Sequence, residues 1–298
     1  MEDKEFNEKY EQLKKSKFKQ QKLWGWRPLP TISCITIIYI SFAVFFILFG
    51  IIILVFTSQV KEVITRYDNV CNTTTCSFSI QPPEKMNKPI MVYYQINDFS
   101  QNHRVYMDSK SDKQLNGEEV SPDELKESGV CDYAITNKDM EQNKGRDDDA
   151  AFPCGLMAKS YFRDNFTFNI KGKNITVKKE DIAYKTDKEK YGKNTYDKDK
   201  HWINVTDERF MIWMRPSPFS NPRKLWGIID DIDLDSTIYF TVEEKSFWSY
   251  EKYIILSTRN VFGGKNSFLG AIYLIFGIIC LVSAIVFINL HHIYHNKN

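Results

Sequence analysis

Hydrophobic positions in this chain fall into two long runs and a series of short ones. The first long run, Ile32 to Phe56, reads ISCITIIYISFAVFFILFGIIILVF and holds no Asp, Glu, Lys, Arg or Pro. At ~1.5 Å of rise per residue it reaches ~37 Å, enough for a ~30 Å hydrocarbon core with some tilt. The second run, Phe268 to Leu290, is equally free of Asp, Glu, Lys and Arg. The pattern predicts two transmembrane helices with one folded, polar body between them.

The body shows shorter periods. Val60, Val63, Ile64 and Tyr67 follow the i, i+3, i+4, i+7 rule, which predicts that the first helix continues outward by two or three turns. Beyond Cys71 the period changes to two. Ile90, Val92, Tyr94 and Ile96 share one face of a strand, and so do Phe166, Phe168 and Ile170. Gly172 then offers a turn before Ile175 and Val177, which reads as a hairpin. Phe210 to Met214, Ile238 to Val242 and Tyr253 to Leu256 are further strand candidates. Short strands with polar turns predict a mainly antiparallel, sandwich-like β ectodomain with helical insertions. The Lys/Asp/Glu-rich stretch 176–200 reads as a solvated surface loop. The expected divisions are an N-terminal tail over 1–30, disordered at its start, spans over 31–56 and 268–290, an ectodomain over 57–267, and a short tail over 291–298.

Composition places the body in a compartment. Of six cysteines, Cys34 and Cys280 lie in the apolar runs, where Cys acts as a small hydrophobe. Cys71, Cys76, Cys131 and Cys154 lie between them and allow three pairings; the nearest-neighbour pairing, Cys71–Cys76 with Cys131–Cys154, closes the shortest loops. Zinc is the rival reading, but the spacing matches no common finger or ribbon. The same segment carries Asn-x-Thr sequons at Asn72, Asn165, Asn174 and Asn204. Together these features point to an oxidising lumen or exterior. Lys14, Lys15, Lys17, Lys19, Lys22 and Arg27 precede the first span, while Lys61 and Arg66 follow it, so both tails are expected to be cytosolic. Lys252, Arg259 and Lys265 before the second span argue weakly the other way. The first run lies too far from the start, and is too long, for a cleaved signal peptide. Trp24 and Trp26 suit an aromatic belt at the membrane surface, with a partner contact as the alternative.

Residues that could carry chemistry are sparse. Lys and Arg number 40 against 38 Asp and Glu, a balance that gives no reason to expect nucleic acid. Asp230, Asp231, Asp233 and Asp235 could hold a cation, but on a strand Asp231, Asp233 and Asp235 share one face, the pattern of a solvated edge. Of five histidines only His103 and His201 lie in the body, and no His-x-x-x-His pair, nucleophile elbow or phosphate loop accompanies them. No catalytic residue, metal ligand or cofactor is expected. A carboxylate-based ectoenzyme and a stand-alone receptor or adhesion glycoprotein stay open as alternatives. With no Asp, Glu, Lys or Arg, the spans offer no solute path. Gly270, Gly277 and Ala284 recur every seven residues, which predicts a close helix contact with the first span or with a partner.

Specific runs of residues add a resemblance. Tyr93-Tyr94-Gln95, Asn102-His103-Arg104, Tyr106, Ser109, Asp112-Lys113-Gln114-Leu115 and Gly117 stand in order, then Pro153-Cys154-Gly155, Ser160 and Phe162. Trp213-Met214-Arg215, Arg223-Lys224-Leu225 and Gly263 to Gly270 follow. In this order they resemble the cell-division-control protein 50, or ligand-effect modulator, family. The likeness runs from Trp24 to about Leu290, with departures at Ser100, Val105 and Pro216-Ser217-Pro218. The resemblance implies a non-catalytic accessory subunit of a type-IV P-type ATPase that moves phospholipid between leaflets. The subunit would support the pump's assembly, its exit from the endoplasmic reticulum and its transport cycle. It implies a hetero-oligomer in the secretory pathway or plasma membrane, in contact with membrane lipids. Trp24, Trp26, Asn102, His103, Arg104, Trp213, Arg215, Gly270, Gly277 and Ala284 are the candidate partner contacts; for Asn102, His103 and Arg104 a purely structural role in loop hydrogen bonding stays open.

Overall fold

The computed structural model describes residues 2–22, 24–25, 31–71, 75–141, 145–191, 200–243 and 250–295. In chain order its elements are α1 (Glu2–Lys15), α2 (Ile32–Ser58), β1 (Glu62–Arg66), β2 (Thr75–Ile80), β3 (Ile90–Ile96), α3 (Arg104–Asp108), α4 (Asp112–Leu115), α5 (Pro122–Ser128), α6 (Leu156–Lys159), β4 (Asn165–Ile170), β5 (Lys173–Ile175), α7 (Lys185–Tyr191), α8 (Glu208–Trp213), β6 (Arg223–Ile229), β7 (Ile238–Glu243), β8 (Lys252–Thr258) and α9 (Phe268–His295). The chain divides into two compact units, Met1–Ile52 with Leu269–Asn298, and Ile53–Phe268.

In the first unit the two apolar runs are helices. Both are long and apolar enough to cross a membrane. They pack on each other through two complementary stripes of small residues. Thr36, Ala43 and Gly50 are buried on α2, and Gly270, Gly277 and Ala284 are buried on α9, each set at seven-residue spacing. Such a repeat keeps one seam facing its neighbour, and small residues let backbones approach in lipid. Phe46 meets Tyr273 edge-on at 5.7 Å and Tyr39 tilts against Phe287 at 5.4 Å beside that seam. The sequence expectation of a disordered start does not hold: residues 2–15 form α1, where Phe6, Tyr10 and Leu13 recur on one face.

The second unit is built on two four-stranded antiparallel sheets, ordered β1-β8-β3-β6 and β2-β7-β4-β5. Val92, Tyr94, Phe166, Phe168, Trp226, Phe240, Ile254 and Leu256 fill one core. At its centre lies an ion pair. Lys252 Nζ is 3.3 Å from Asp164 Oδ2, with both side chains at most 1% exposed, and the Tyr67 hydroxyl donates to the same carboxylate at 2.9 Å. A charge pair taken out of water persists only when its remaining lone pairs are bonded, and Tyr67 supplies such a bond.

Two helix–strand assignments change. The helix does not run on past Ser58; residues 62–66 form β1, paired with β8 from Glu62↔Ser257 to Arg66↔Tyr253. Val63, Ile64 and Thr65 are β-branched and fit a pleated surface, and the partner strand supplies the hydrogen bonds. Phe210 to Met214 is not a strand. Asp207 accepts from Arg209 N at 2.9 Å and starts α8, which buries Phe210, Met211 and Trp213. The stretch 176–200 is not all loop: it contains α7, whose Tyr191 is buried, while 192–199 lies outside the described residues.

Candidate partner-binding surface and its scaffold

The insertion between β3 and β4 is organised by a disulfide. Cys131 is bonded to Cys154, and Cys71 to Cys76, which is the nearest-neighbour pairing. Gln114 spans the first bridge: its Oε1 accepts from Cys154 N at 2.9 Å and its Nε2 donates to Ala151 O at 2.9 Å. Ser109 Oγ accepts from Leu156 N at 2.9 Å and donates to Asp132 O at 3.1 Å. The Tyr106 hydroxyl and Ser160 Oγ stand 2.6 Å apart. Gly155 has φ +101°, and a Cβ there would lie 2.1 Å from Ser109 O, so no other residue fits. Ser109, Gln114, Cys154, Gly155 and Ser160, all buried, and the half-buried Tyr106 are thus one node that holds α3, α4 and α6 together.

Trp213 belongs to this scaffold and not to a contact surface. It is 0% exposed, donates from Nε1 to Met157 O at 2.8 Å, and stacks near Phe99 at 5.9 Å and Tyr94 at 6.4 Å. A side chain sealed on all sides cannot touch another protein, so its expected contact role is corrected to packing. Gly270, Gly277 and Ala284 are likewise used within the chain, against α2.

Three of the exposed candidates share one loop, which adjoins a second. Asn102, His103 and Arg104 are all exposed. Asn102 Nδ2 donates to Pro218 O at 3.2 Å, Gln101 Oε1 accepts from Ser217 N at 2.9 Å, and Asn221 Oδ1 accepts from Asp98 N at 2.9 Å. These bonds stitch loop 98–104 to loop 216–222 and hold Phe219 outward, 79% exposed. Phe219 is not among the residues expected from the sequence, although a large apolar residue behind Pro216-Ser217-Pro218 is legible there. Arg215 is tied elsewhere, to Asp187 and over the Tyr184 ring at 4.1 Å. Trp24 is 88% exposed. Trp26 lies outside the described residues.

Three of the four sequons can be placed. Asn174 is exposed on the β4–β5 hairpin, while Asn165 and Asn204 are half-buried. Asn204 Oδ1 accepts from Thr206 N at 2.9 Å in its own turn. Asn72 lies outside the described residues.

Electrostatics here are structural. Lys224, 7% exposed, is pushed down to about 8 by burial and by Arg215, and its ammonium donates to Arg215 O. The acidic segment is not a strand but an irregular connection between β6 and β7. Asp233 accepts from Lys88 N at 2.9 Å and pairs with Lys85 at 3.1 Å, and the Lys88 N–H holds its carboxyl below the usual range. Among the described residues no group of three or more His, Cys, Asp or Glu is placed to hold a metal ion. His201 stacks on Phe152 at 4.1 Å.

The profile of the LEM3 (ligand-effect modulator 3) family / CDC50 family matches residues 10–297. This chain belongs to that family. Relatives cover nearly all of it. ALA-interacting subunit 3 of Arabidopsis thaliana is 31% identical over 92% of this chain and 84% of its own. Cell cycle control protein 50A of Mus musculus is 27% identical over 94% of this chain and 89% of its own. The phospholipid-transporting ATPase accessory subunit LEM3 of Saccharomyces cerevisiae is 26% identical over 92% of this chain and 82% of its own. The two-span, two-sheet architecture fits CDC50/LEM3 membership, and this member is a two-span membrane protein.

Proposed function

We propose that this CDC50/LEM3 protein is the non-catalytic accessory subunit of a phospholipid-translocating P-type ATPase, needed for the pump's assembly, its exit from the endoplasmic reticulum and its transport cycle. The observation that carries the reading is family membership over residues 10–297, together with relatives named as accessory subunits of such pumps. The ATP site and the lipid path belong to the partner in this reading. A subunit that binds one conformer of the pump better shifts the cycle toward it by that difference in affinity and no more.

Both tails are cytosolic and residues 57–267 are luminal in this proposal, which the two disulfides and the exposed sequon at Asn174 support. The stitched loops carrying Asn102, His103, Arg104 and Phe219 are the proposed contact with the pump, being exposed yet held in one arrangement.

Co-purification in mild detergent tests the function. A P-type ATPase at one-to-one stoichiometry is expected, and deleting the chain should abolish uptake of labelled phospholipid. A chain that purifies alone from native membranes, or whose ectodomain turns over a substrate, overturns the reading. Phe219→Asp should weaken co-purification while leaving thermal unfolding of the chain unchanged; retention of full binding would remove that loop from the interface.

A further inference from the structure

The segment before the first span is a built structure that the proposed contact loops do not use. α1 carries Phe6, Tyr10 and Leu13 at i, i+4 and i+7, and all three are exposed. The helix closes into a turn of its own making: Gln20 Nε2 donates to Leu13 O at 3.2 Å, Gln20 N to Ser16 O at 3.0 Å and Lys22 N to Lys17 O at 2.8 Å. Phe18 stands on that turn, also exposed. Around these apolar side chains lie Lys14, Lys15, Lys17, Lys19 and Lys22, with no acidic residue anywhere in 12–31. Lys14 borders the apolar stripe, its ammonium 5.9 Å from the Tyr10 ring centre.

Topology alone asks for lysines on this side of a span, but it does not ask for an apolar stripe among them. A helix with such a stripe and basic residues beside it has the composition of an element that lies in a membrane interface. The tether decides the occupant. Nine residues, 23–31, separate Lys22 from the start of α2, and fully extended they span at most ~32 Å. The segment is therefore held within reach of the lipid surface, at high effective concentration, whatever else is present. The acidic residues Glu2, Asp3, Glu5, Glu8 and Glu11 oppose an anionic surface, so the contact centres on the C-terminal end of α1 and the turn after it.

We propose that residues 10–22 dock on the anionic leaflet that faces the N-terminus, with Tyr10, Leu13 and Phe18 in the interface and the five lysines on lipid phosphates and carboxylates. A negatively charged leaflet attracts juxtamembrane lysines within about one Debye length, so the docking responds to that leaflet's content of acidic phospholipid.

Hydrogen exchange of the full chain in nanodiscs tests this. Backbone amides of 10–22 should exchange at least tenfold more slowly in nanodiscs with roughly one-third phosphatidylserine than in pure phosphatidylcholine, and 0.5 M salt should remove most of the difference. Replacing Lys14, Lys15, Lys17, Lys19 and Lys22 by Gln should abolish the lipid dependence while amides of α9 stay protected, which shows the chain still folded. Equal exchange in both lipids overturns the proposal. So does protection that appears only when a partner protein is added, because the occupant would then be protein.

Discussion

A Cβ placed on Gly277 would lie 2.6 Å from Ile47 Cγ1 and 3.1 Å from Ile47 N. On the other helix, a Cβ on Gly50 would meet Leu274 at 2.9 Å and Gly270 O at 3.1 Å. Each glycine is the slot for a large side chain of the facing span. Gly277→Leu should therefore push α9 off α2. Overpacking a close contact costs ~1–3 kcal/mol, so the thermal midpoint of the detergent-solubilised chain should fall by several degrees. Gly277→Leu with Ile47→Ala should recover part of the loss, because the Ile47 side chain is the atom group that a Cβ at 277 meets first. An unchanged midpoint in Gly277→Leu would mean that the seam contributes nothing.

Asp164, Lys252 and Tyr67 form a buried polar cluster. Asp164→Ala removes the carboxylate that Lys252 and Tyr67 share, and breaking a buried pair by removing one partner typically costs ~3–5 kcal/mol. Asp164→Ala with Lys252→Met removes both charges and should be much closer to the parent. Chemical denaturation of the four-member cycle measures the coupling; additive effects would contradict a direct pair.

The node around Gln114 and Cys131–Cys154 ties α3, α4 and α6. Cys131→Ser with Cys154→Ser should destabilise by ~2–4 kcal/mol, and the Cys71–Cys76 loop, with a sequence separation of only 5, should matter less, because shorter closures restrict the unfolded chain less. Gln114→Ala leaves Cys154 N and Ala151 O without partners, at ~1–3 kcal/mol. Denaturation midpoints of the three variants rank these effects.

Lys224 predicts a pH dependence. Its folded value, about 8, lies below its ordinary value of 10.5, so between those pH values the unfolded chain binds more protons than the folded one. The sign is then fixed: stability from this group rises as pH goes from 8 to 10.5, and its full penalty is present below 8. Thermal midpoints at pH 7.5 and 9.5 should differ less in Lys224→Met than in the parent chain. Equal slopes in the two proteins would count against the assignment.

Much of this architecture was legible in the sequence, and the failures are physical. The two spans need only length and composition. Strands β4 and β7 alternate cleanly because one face meets the core, while β3 and β8, buried on both faces over much of their length, show as short apolar runs. Val63, Ile64 and Tyr67 fit a helical period as well as a pleat, and only pairing with β8, nearly two hundred residues away, decides between them. Phe210 to Trp213 is too short for periodicity to speak, and the Asp207 cap was the better signal. Cys76, Phe78 and Ile80 alternate in β2, a pattern masked by the polar residues around them. Of the candidate contacts, Asn102 to Arg104 are exposed while Trp213 is buried, because a motif does not carry depth. The first span's own seam, Thr36, Ala43 and Gly50, was readable by the same seven-residue count that singled out Gly277.

That seam is closed by the chain's own two ends. The two hydrophobic ends can find each other as soon as both are synthesised, before any pump is encountered. A subunit built this way brings its two spans to the pump as one joined element rather than as two separate helices to be placed.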